Sequence, residues 1–281
     1  MSSQKLNTED HSSESSDFRF FKNSSLQGLV SLKLSAKALE SLQGPDLLLQ
    51  DTKLDKDSSS TTAGVVELDG KKYFLKRYNN KNFKKKLKNS VRKTRPFRVL
   101  KTSQALSEAG VFTPEIYAAL NYRRGLLLES SYLLSSYMQS AKTAGQMIER
   151  LVGEEKRAVF TEKVCQMLVK MHDAGILHGD VKTSNIIVKP NDDDTYDLGL
   201  LDLDGSHCYT EALPAKKRSY DLARLISSYF RTCRDKPFAI KDLDELIDCF
   251  AQKYFAISGI DIPRERLMKR SKYLSSRVRK K

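Results

Sequence analysis

The run His178-Gly179-Asp180-Val181-Lys182-Thr183-Ser184-Asn185, followed by an apolar stretch that ends in Leu201-Asp202-Leu203-Asp204, constrains this chain more than any other feature. One loop holds a carboxylate, a cation two residues on and a carboxamide three beyond that. A second carboxylate closes a segment apolar enough to be a buried strand, where a charge is costly unless it is paired or employed. Phosphoryl transfer from ATP needs such a set: a carboxylate to receive a hydroxyl proton, a cation on the moving phosphoryl group, and two oxygen ligands for magnesium. On that chemistry Asp180 is the candidate base, Lys182 the phosphate contact, and Asn185 with Asp202 the Mg2+ ligands. The structural alternative is that Asp180 caps a turn which Asn185 closes.

Two further elements stand in the matching order. Upstream, Lys72-Tyr73-Phe74-Leu75-Lys76 is an expected strand ending in a lysine, the place where kinases hold the α- and β-phosphates. Downstream, Ile186-Ile187-Val188 and residues 198–203 predict a hairpin around the acidic turn 191–194. That turn is expected to be a solvated one, since nothing else in the sequence converges on it.

Length and charge bound the rest. At 281 residues the chain holds one two-lobed domain or two small ones. No apolar stretch approaches the ~20 residues needed to cross a bilayer, and the Ser-rich start has no signal-peptide core. The cysteines Cys165, Cys208, Cys233 and Cys249 lack metal or redox spacing, which suits a reducing, cytoplasmic setting and a role as small buried hydrophobes. Positive charge is concentrated: the net formal charge is +14, and residues 71–107 contain no acid at all. The basic arm 81–98 and the tail 264–281 are expected either to be solvated faces or to contact a polyanion such as nucleic acid, anionic lipid or a phosphorylated saccharide.

Along the chain, residues 1–27 form a Ser-rich segment expected to be disordered. Residues 28–42 are expected to be a helix that Gly44-Pro45 ends. Residues 65–68 and 71–76, joined by Asp69-Gly70, predict a strand–turn–strand unit. A helix is expected from about Pro96 to Glu108. Leu126-Leu127-Leu128 and Tyr132-Leu133-Leu134 look like two paired strands. Phe160, Val164, Leu168 and Met171 stand at helical spacing, and further helices are expected near 220–231 and 243–254. A helix over 264–278 would put Leu267, Leu274 and Val278 on one side, either closing the second lobe or lying on a membrane surface.

With these residues in hand, the chain resembles the lipopolysaccharide core heptose/Kdo kinase family from about residue 28 onward. The landmarks are Tyr73-Phe74-Leu75-Lys76-Arg77-Tyr78, Leu106 through Gly110-Val111 to Pro114, Met171-His172-Asp173-Ala174-Gly175, the loop above, Leu201-Asp202-Leu203-Asp204 and Tyr220-Asp221-Leu222. The resemblance implies an α+β fold of the two-lobed protein-kinase type, with a small N-lobe sheet and helix (28–136) and a mainly helical C-lobe (137–281). It implies ATP and Mg2+ use, an anionic glycolipid acceptor, and contact with the cytoplasmic face of the inner membrane, with nucleic acid a less favoured partner. ATP would lie between the lobes, with adenine against the backbone near Ser136 and Met138 and Lys76 on the phosphates. Asp202 rather than Asp204 takes the metal, and Asp221 and His178 are structural supports of the loop.

The sequence also departs from the kinase pattern. No glycine-rich loop precedes Val65, so residues 58–64 must cover the phosphates with hydroxyls and one glycine. The glutamate expected to pair with Lys76 falls near Val99, in the acid-free stretch. Gly179 replaces the arginine that reads activation-loop phosphate, and residues 205–220 carry no Ala-Pro-Glu anchor. The last two argue for a glycan or small-molecule acceptor over a peptide. The alternatives are another atypical kinase, such as the small kinase of the tRNA threonylcarbamoylation machinery or a protein kinase, and a pseudokinase binding module.

Overall fold

A computed structural model of the protein describes residues 17–80, 82–139, 141–152, 156–192, 195–237, 240 and 242–276. The fold is α+β, and the chain divides into two compact units, Met1–Thr94 with Ile116–Ser136, and Arg95–Glu115 with Tyr137–Lys281.

The first unit is a sheet backed by short helices. In chain order it contains β1 (Phe18–Lys22), β2 (Leu26–Ser31), α1 (Ala36–Ser41), α2 (Pro45–Gln50), β3 (Leu54–Asp57), β4 (Thr61–Leu68), β5 (Lys71–Asn79) and α3 (Phe83–Ser90). Helix α4 (Arg95–Glu108) belongs to the second unit, before β6 (Ile116–Arg124) and β7 (Leu127–Ser136) complete the first. The strands form one antiparallel sheet in the order β1-β2-β6-β7-β5-β4-β3. Asp69-Gly70 closes as a two-residue turn, with Leu68 paired to Lys71. One face carries Val66, Leu68, Tyr73, Leu75 and Leu134 into a core completed by Ala38, Leu42 and Leu49 of the short helices. Side chains alternate along a strand. Lys76 therefore leaves the opposite face, paired with Ala63 on one side and Leu133 on the other.

Three expectations for this unit change. Strands β1 and β2 occupy residues assigned to the disordered segment and the start of the leading helix. Leu26, Gly28 and Val30 alternate as buried positions, and pairing of β2 with β6 outweighs the helical spacing. The helix over 28–42 shortens to α1, and Pro45 opens α2 instead of ending a helix, because a first-turn proline forfeits no hydrogen bond. Leu127 to Ser136 is one strand, not two, and its partners are β6 and β5.

The second unit is mainly helical: β8 (Lys142–Thr143), α5 (Ile148–Val152), α6 (Arg157–Asp173), β9 (Ile176–Leu177), β10 (Ile186–Pro190), β11 (Tyr196–Leu200), β12 (His207–Cys208), α7 (Ala215–Cys233), α8 (Leu243–Ser258) and α9 (Arg264–Ser276). Phe160, Val164, Leu168 and Met171 of α6 are all fully buried, as their spacing predicts. Two small sheets, β11-β10-β8 and β12-β9, frame the loop between β9 and β10. Helix α4 packs on β9, β12 and the turn Leu203–Gly205, where Ser206 Oγ donates to Thr102 Oγ1 at 3.1 Å.

Helix α9 packs on α7 and α8 with Leu267 fully buried. Ser227 Oγ and Arg231 Nη1 of α7 donate to the carbonyls of Ser271 and Leu274. Leu267 on the apolar side of α9 is therefore taken up by the unit's own packing, as the lobe-closing expectation has it, and Val278 lies outside the described residues. Among the described residues no helix is long and apolar enough to cross a membrane. The cysteines are free thiols, with Cys165 and Cys233 buried.

Candidate active site

The loop between β9 and β10 is built on α7. Asp221, fully buried in that helix, accepts the main-chain N–H of His178 at Oδ2 and of Gly179 at Oδ1, each at 2.8 Å. Successive amides converge on one carboxylate because Gly179 has φ +79°. A side chain there would be strained and would meet the Gly205 carbonyl at 3.1 Å. The same Asp221 Oδ2 faces His172 Nε2 at 3.4 Å, and His172 Nδ1 meets the Tyr254 hydroxyl at 2.8 Å. Tyr254 also accepts from Arg218, whose guanidinium reaches Asp173 and the Leu213 carbonyl. A buried polar network of this kind is rigid when its members are satisfied.

His178 ties the loop to the chain leaving β11. Its Nε2 donates to the Leu201 carbonyl at 2.9 Å, and Nδ1 accepts from Asp180 N at 3.3 Å, the roles that the two main-chain partners require. Leu201 N in turn donates to the Asn185 carbonyl at 2.8 Å. Asn185 and Asp202 are thereby held one residue apart across a backbone hydrogen bond. Asp202 itself adopts a left-handed conformation, φ 56° and ψ 58°, which an aspartate tolerates better than most residues and which turns the chain sharply after the strand.

Asp180 is the most constrained side chain of the loop. Arg224 of α7 grips Oδ1 with two nitrogens, Nε at 2.7 Å and Nη2, while Lys182 Nζ donates to Oδ2 at 3.0 Å. Asn185 Nδ2 donates to the Asp180 carbonyl at 3.1 Å. Burial would raise the Asp180 carboxyl, but the hydrogen bonds and charges of Lys182 and Arg224 outweigh it and hold the group below the usual carboxylate range. Arg224 was missed in the sequence reading. The available signal was its position one helical turn after Asp221, on the same side of α7.

Asn185 engages Asp180 through its amide nitrogen, which leaves its Oδ1 as an oxygen donor, and Asp202 supplies a carboxylate. Among the described residues no group of three or more His, Cys, Asp and Glu is placed to hold a metal. Magnesium does not require one, since it commonly takes one or two protein ligands and completes its shell with phosphate and water. The donor set fits that ion.

The nucleotide-contact candidates lie in two places. In the first unit, Lys76 is partly buried in β5, with Nζ 5.4 Å from the centre of the Tyr78 ring, and Ser136 ends β7 opposite Tyr73. Met138 lies in the second unit, just after the chain re-enters it at Tyr137, and its carbonyl accepts from Ala141 N at 3.2 Å. The hydroxyl run that precedes β4 forms a tight turn, with Ser58 Oγ accepting from Thr61 N and donating to Thr61 O. Val99, near the position expected for a glutamate partner of Lys76, is a buried apolar residue of α4.

Comparison with known proteins bears on the fold and the family. A structure of WaaP in complex with acyl carrier protein superimposes with a TM-score of 0.56, covering 83% of this chain and 88% of that one at 20% identity, a likeness of fold. The KEOPS complex subunit Bud32 of Pyrococcus abyssi is 29% identical over 114 residues, 41% of this chain and 48% of its own length. Mouse serine/threonine-protein kinase DCLK3 is 36% identical over 72 residues, 25% of this chain and 9% of its own. The chain thus spans about half of one curated relative and under a tenth of the other. The model of the lipopolysaccharide kinase (Kdo/WaaP) family matches residues 46–250, and the chain belongs to that family.

Proposed function

We propose that this protein transfers the γ-phosphoryl group of ATP to a sugar hydroxyl, heptose or Kdo, of the lipopolysaccharide inner core. The observation that carries the reading is the Asp180 carboxylate, fixed on one oxygen by Arg224 and on the other by Lys182. Asp180 orients the acceptor hydroxyl and takes its proton late, as befits a carboxylate of depressed basicity. Lys182, released from Asp180, stabilises the transferring phosphoryl group. Lys76 contacts the α- and β-phosphates, with the main chain near Ser136 and Met138 against adenine. Asn185 and Asp202 would hold magnesium, which supplies charge neutralisation at the β- and γ-phosphate oxygens. His178 and Asp221 keep the loop in register without touching substrate. Family membership supports a lipopolysaccharide acceptor, and the chain's +14 charge suits an anionic glycolipid.

One observation favours a second reading, a kinase of a tRNA-modification complex: the likeness to Bud32. Transfer from labelled ATP to dephosphorylated lipopolysaccharide core, with Asp180→Ala as control, decides between them. The expected result is transfer that falls about 10²–10⁴-fold in the variant while ATP binding persists. Transfer undiminished in the variant would remove Asp180 as base. No transfer to glycan, with salt-sensitive RNA binding instead, would favour the second reading.

A further inference from the structure

The tip of the β6–β7 hairpin joins exposed aliphatic side chains to exposed cations. Arg124 pairs with Leu127, so the turn is Gly125-Leu126 alone. Gly125 takes φ +61°, and Leu126 stands 89% exposed where Asn, Asp or Gly would be usual. The end of α3 is bonded to this same tip. Arg123 donates to the Leu126 carbonyl (3.0 Å) and to the Ser90 carbonyl (3.1 Å), and Ser90 Oγ accepts from Leu128 N (2.8 Å). These bonds bring Val91, 84% exposed, beside the tip, with Leu87, 55% exposed, one helical turn before it. Exposed Arg92, Lys93 and Arg124 flank them, and none has a carboxylate partner among the described residues.

We propose that this corner docks the protein on an anionic lipid membrane. Leu126, Val91 and Leu87 enter the boundary between headgroups and acyl chains, while Arg92, Lys93 and Arg124 meet the lipid phosphates. Single-stranded nucleic acid would call for aromatic platforms in a groove, whereas these side chains are aliphatic and stand on a projecting turn. Aliphatic groups ringed by cations, with residues 71–107 free of acid, match a negatively charged lipid surface. The docking deepens the proposed function, since a lipid-linked acceptor lies at a membrane, but it is measured without acceptor or nucleotide.

The test is co-sedimentation of the full chain with vesicles of phosphatidylcholine alone and of phosphatidylcholine mixed with phosphatidylglycerol. Partition is expected onto the mixed vesicles only, weakening as salt is raised. Leu126→Asp combined with Val91→Asp should lower it about tenfold or more, and alanine at Arg92, Lys93 or Arg124 about fivefold for each charge removed. These positions are exposed, and unchanged thermal melting will confirm folded variants. Failure of the wild type to partition, or equal partition of wild type and variants, overturns the proposal. RNA binding with the same residue dependence and no vesicle partition assigns the corner to nucleic acid. Transfer to delipidated glycan, measured in parallel, keeps the two readings apart. Docking without transfer sinks only the acceptor assignment, and transfer without docking sinks only the membrane surface.

Discussion

At the residue scale the site turns on Asp180, whose two oxygens are taken by different cations from different elements. A carboxylate held this way is a weak base with a fixed direction, suited to a transition state in which the acceptor proton moves late. Arg224→Ala should free one oxygen and leave burial opposed by Lys182 alone, so the carboxyl titrates at higher pH than in the wild type. The acid limb of kcat/KM against pH should then shift upward, with kcat down about tenfold or more. Arg224→Lys, which cannot form the two-nitrogen grip, should restore little of it. A lowered kcat with an unmoved acid limb would mean that Arg224 only supports the fold. Asp180, Lys182 and Asn185 were readable from sequence because their spacing within one short loop is itself the signal. Arg224 lies 44 positions from Asp180, and its one local mark, the spacing from Asp221 along α7, does not name that partner.

Among the elements, α7 does the most positioning. Asp221 faces the loop amides from it and Arg224 the candidate base, while α9 closes against its other side. Leu267→Ala in α9 removes a fully buried side chain and should cost about 2–5 kcal/mol of stability, visible as a lower denaturant midpoint. A change below about 0.5 kcal/mol would mean that α9 does not close the unit. Helices α6, α7 and α8 and the β4–β5 and β10–β11 hairpins were legible from periodicity and turn residues, each a short-range property. Strands β1 and β2 were not, because β2 is held by pairing with β6, about ninety residues further along, and β1 pairs in turn on β2. Each is only five or six residues long and lies beside a polar run, so its own sequence does not announce a strand.

For the whole molecule, the buried network beneath the loop links stability to pH. Burial pushes the His172 imidazole below its ordinary range, against the pull of Asp221. Above the unfolded value of about 6.5 the ring is neutral in both states and folding incurs no proton cost. As pH falls below it, the unfolded chain takes up a proton that the native state refuses, so stability drops by up to about 1.4 kcal/mol per pH unit. Denaturant midpoints measured between neutral and mildly acidic pH should show this slope, and His172→Gln should flatten it. An unchanged slope in the variant would place the proton uptake elsewhere.

By itself the sequence determined the spacing of the candidate phosphotransfer residues, the positions of most helices and hairpins and the concentration of positive charge. All of these are carried by residues close together in the chain or by composition. Only the tertiary structure decided that α4 belongs to the second unit, that Arg224 grips Asp180, that α9 buries Leu267 and that Leu126 and Val91 stand exposed beside one another. Each of those depends on contacts between residues distant in sequence, where burial and pairing energies outweigh local preference, and no short-range pattern encodes them.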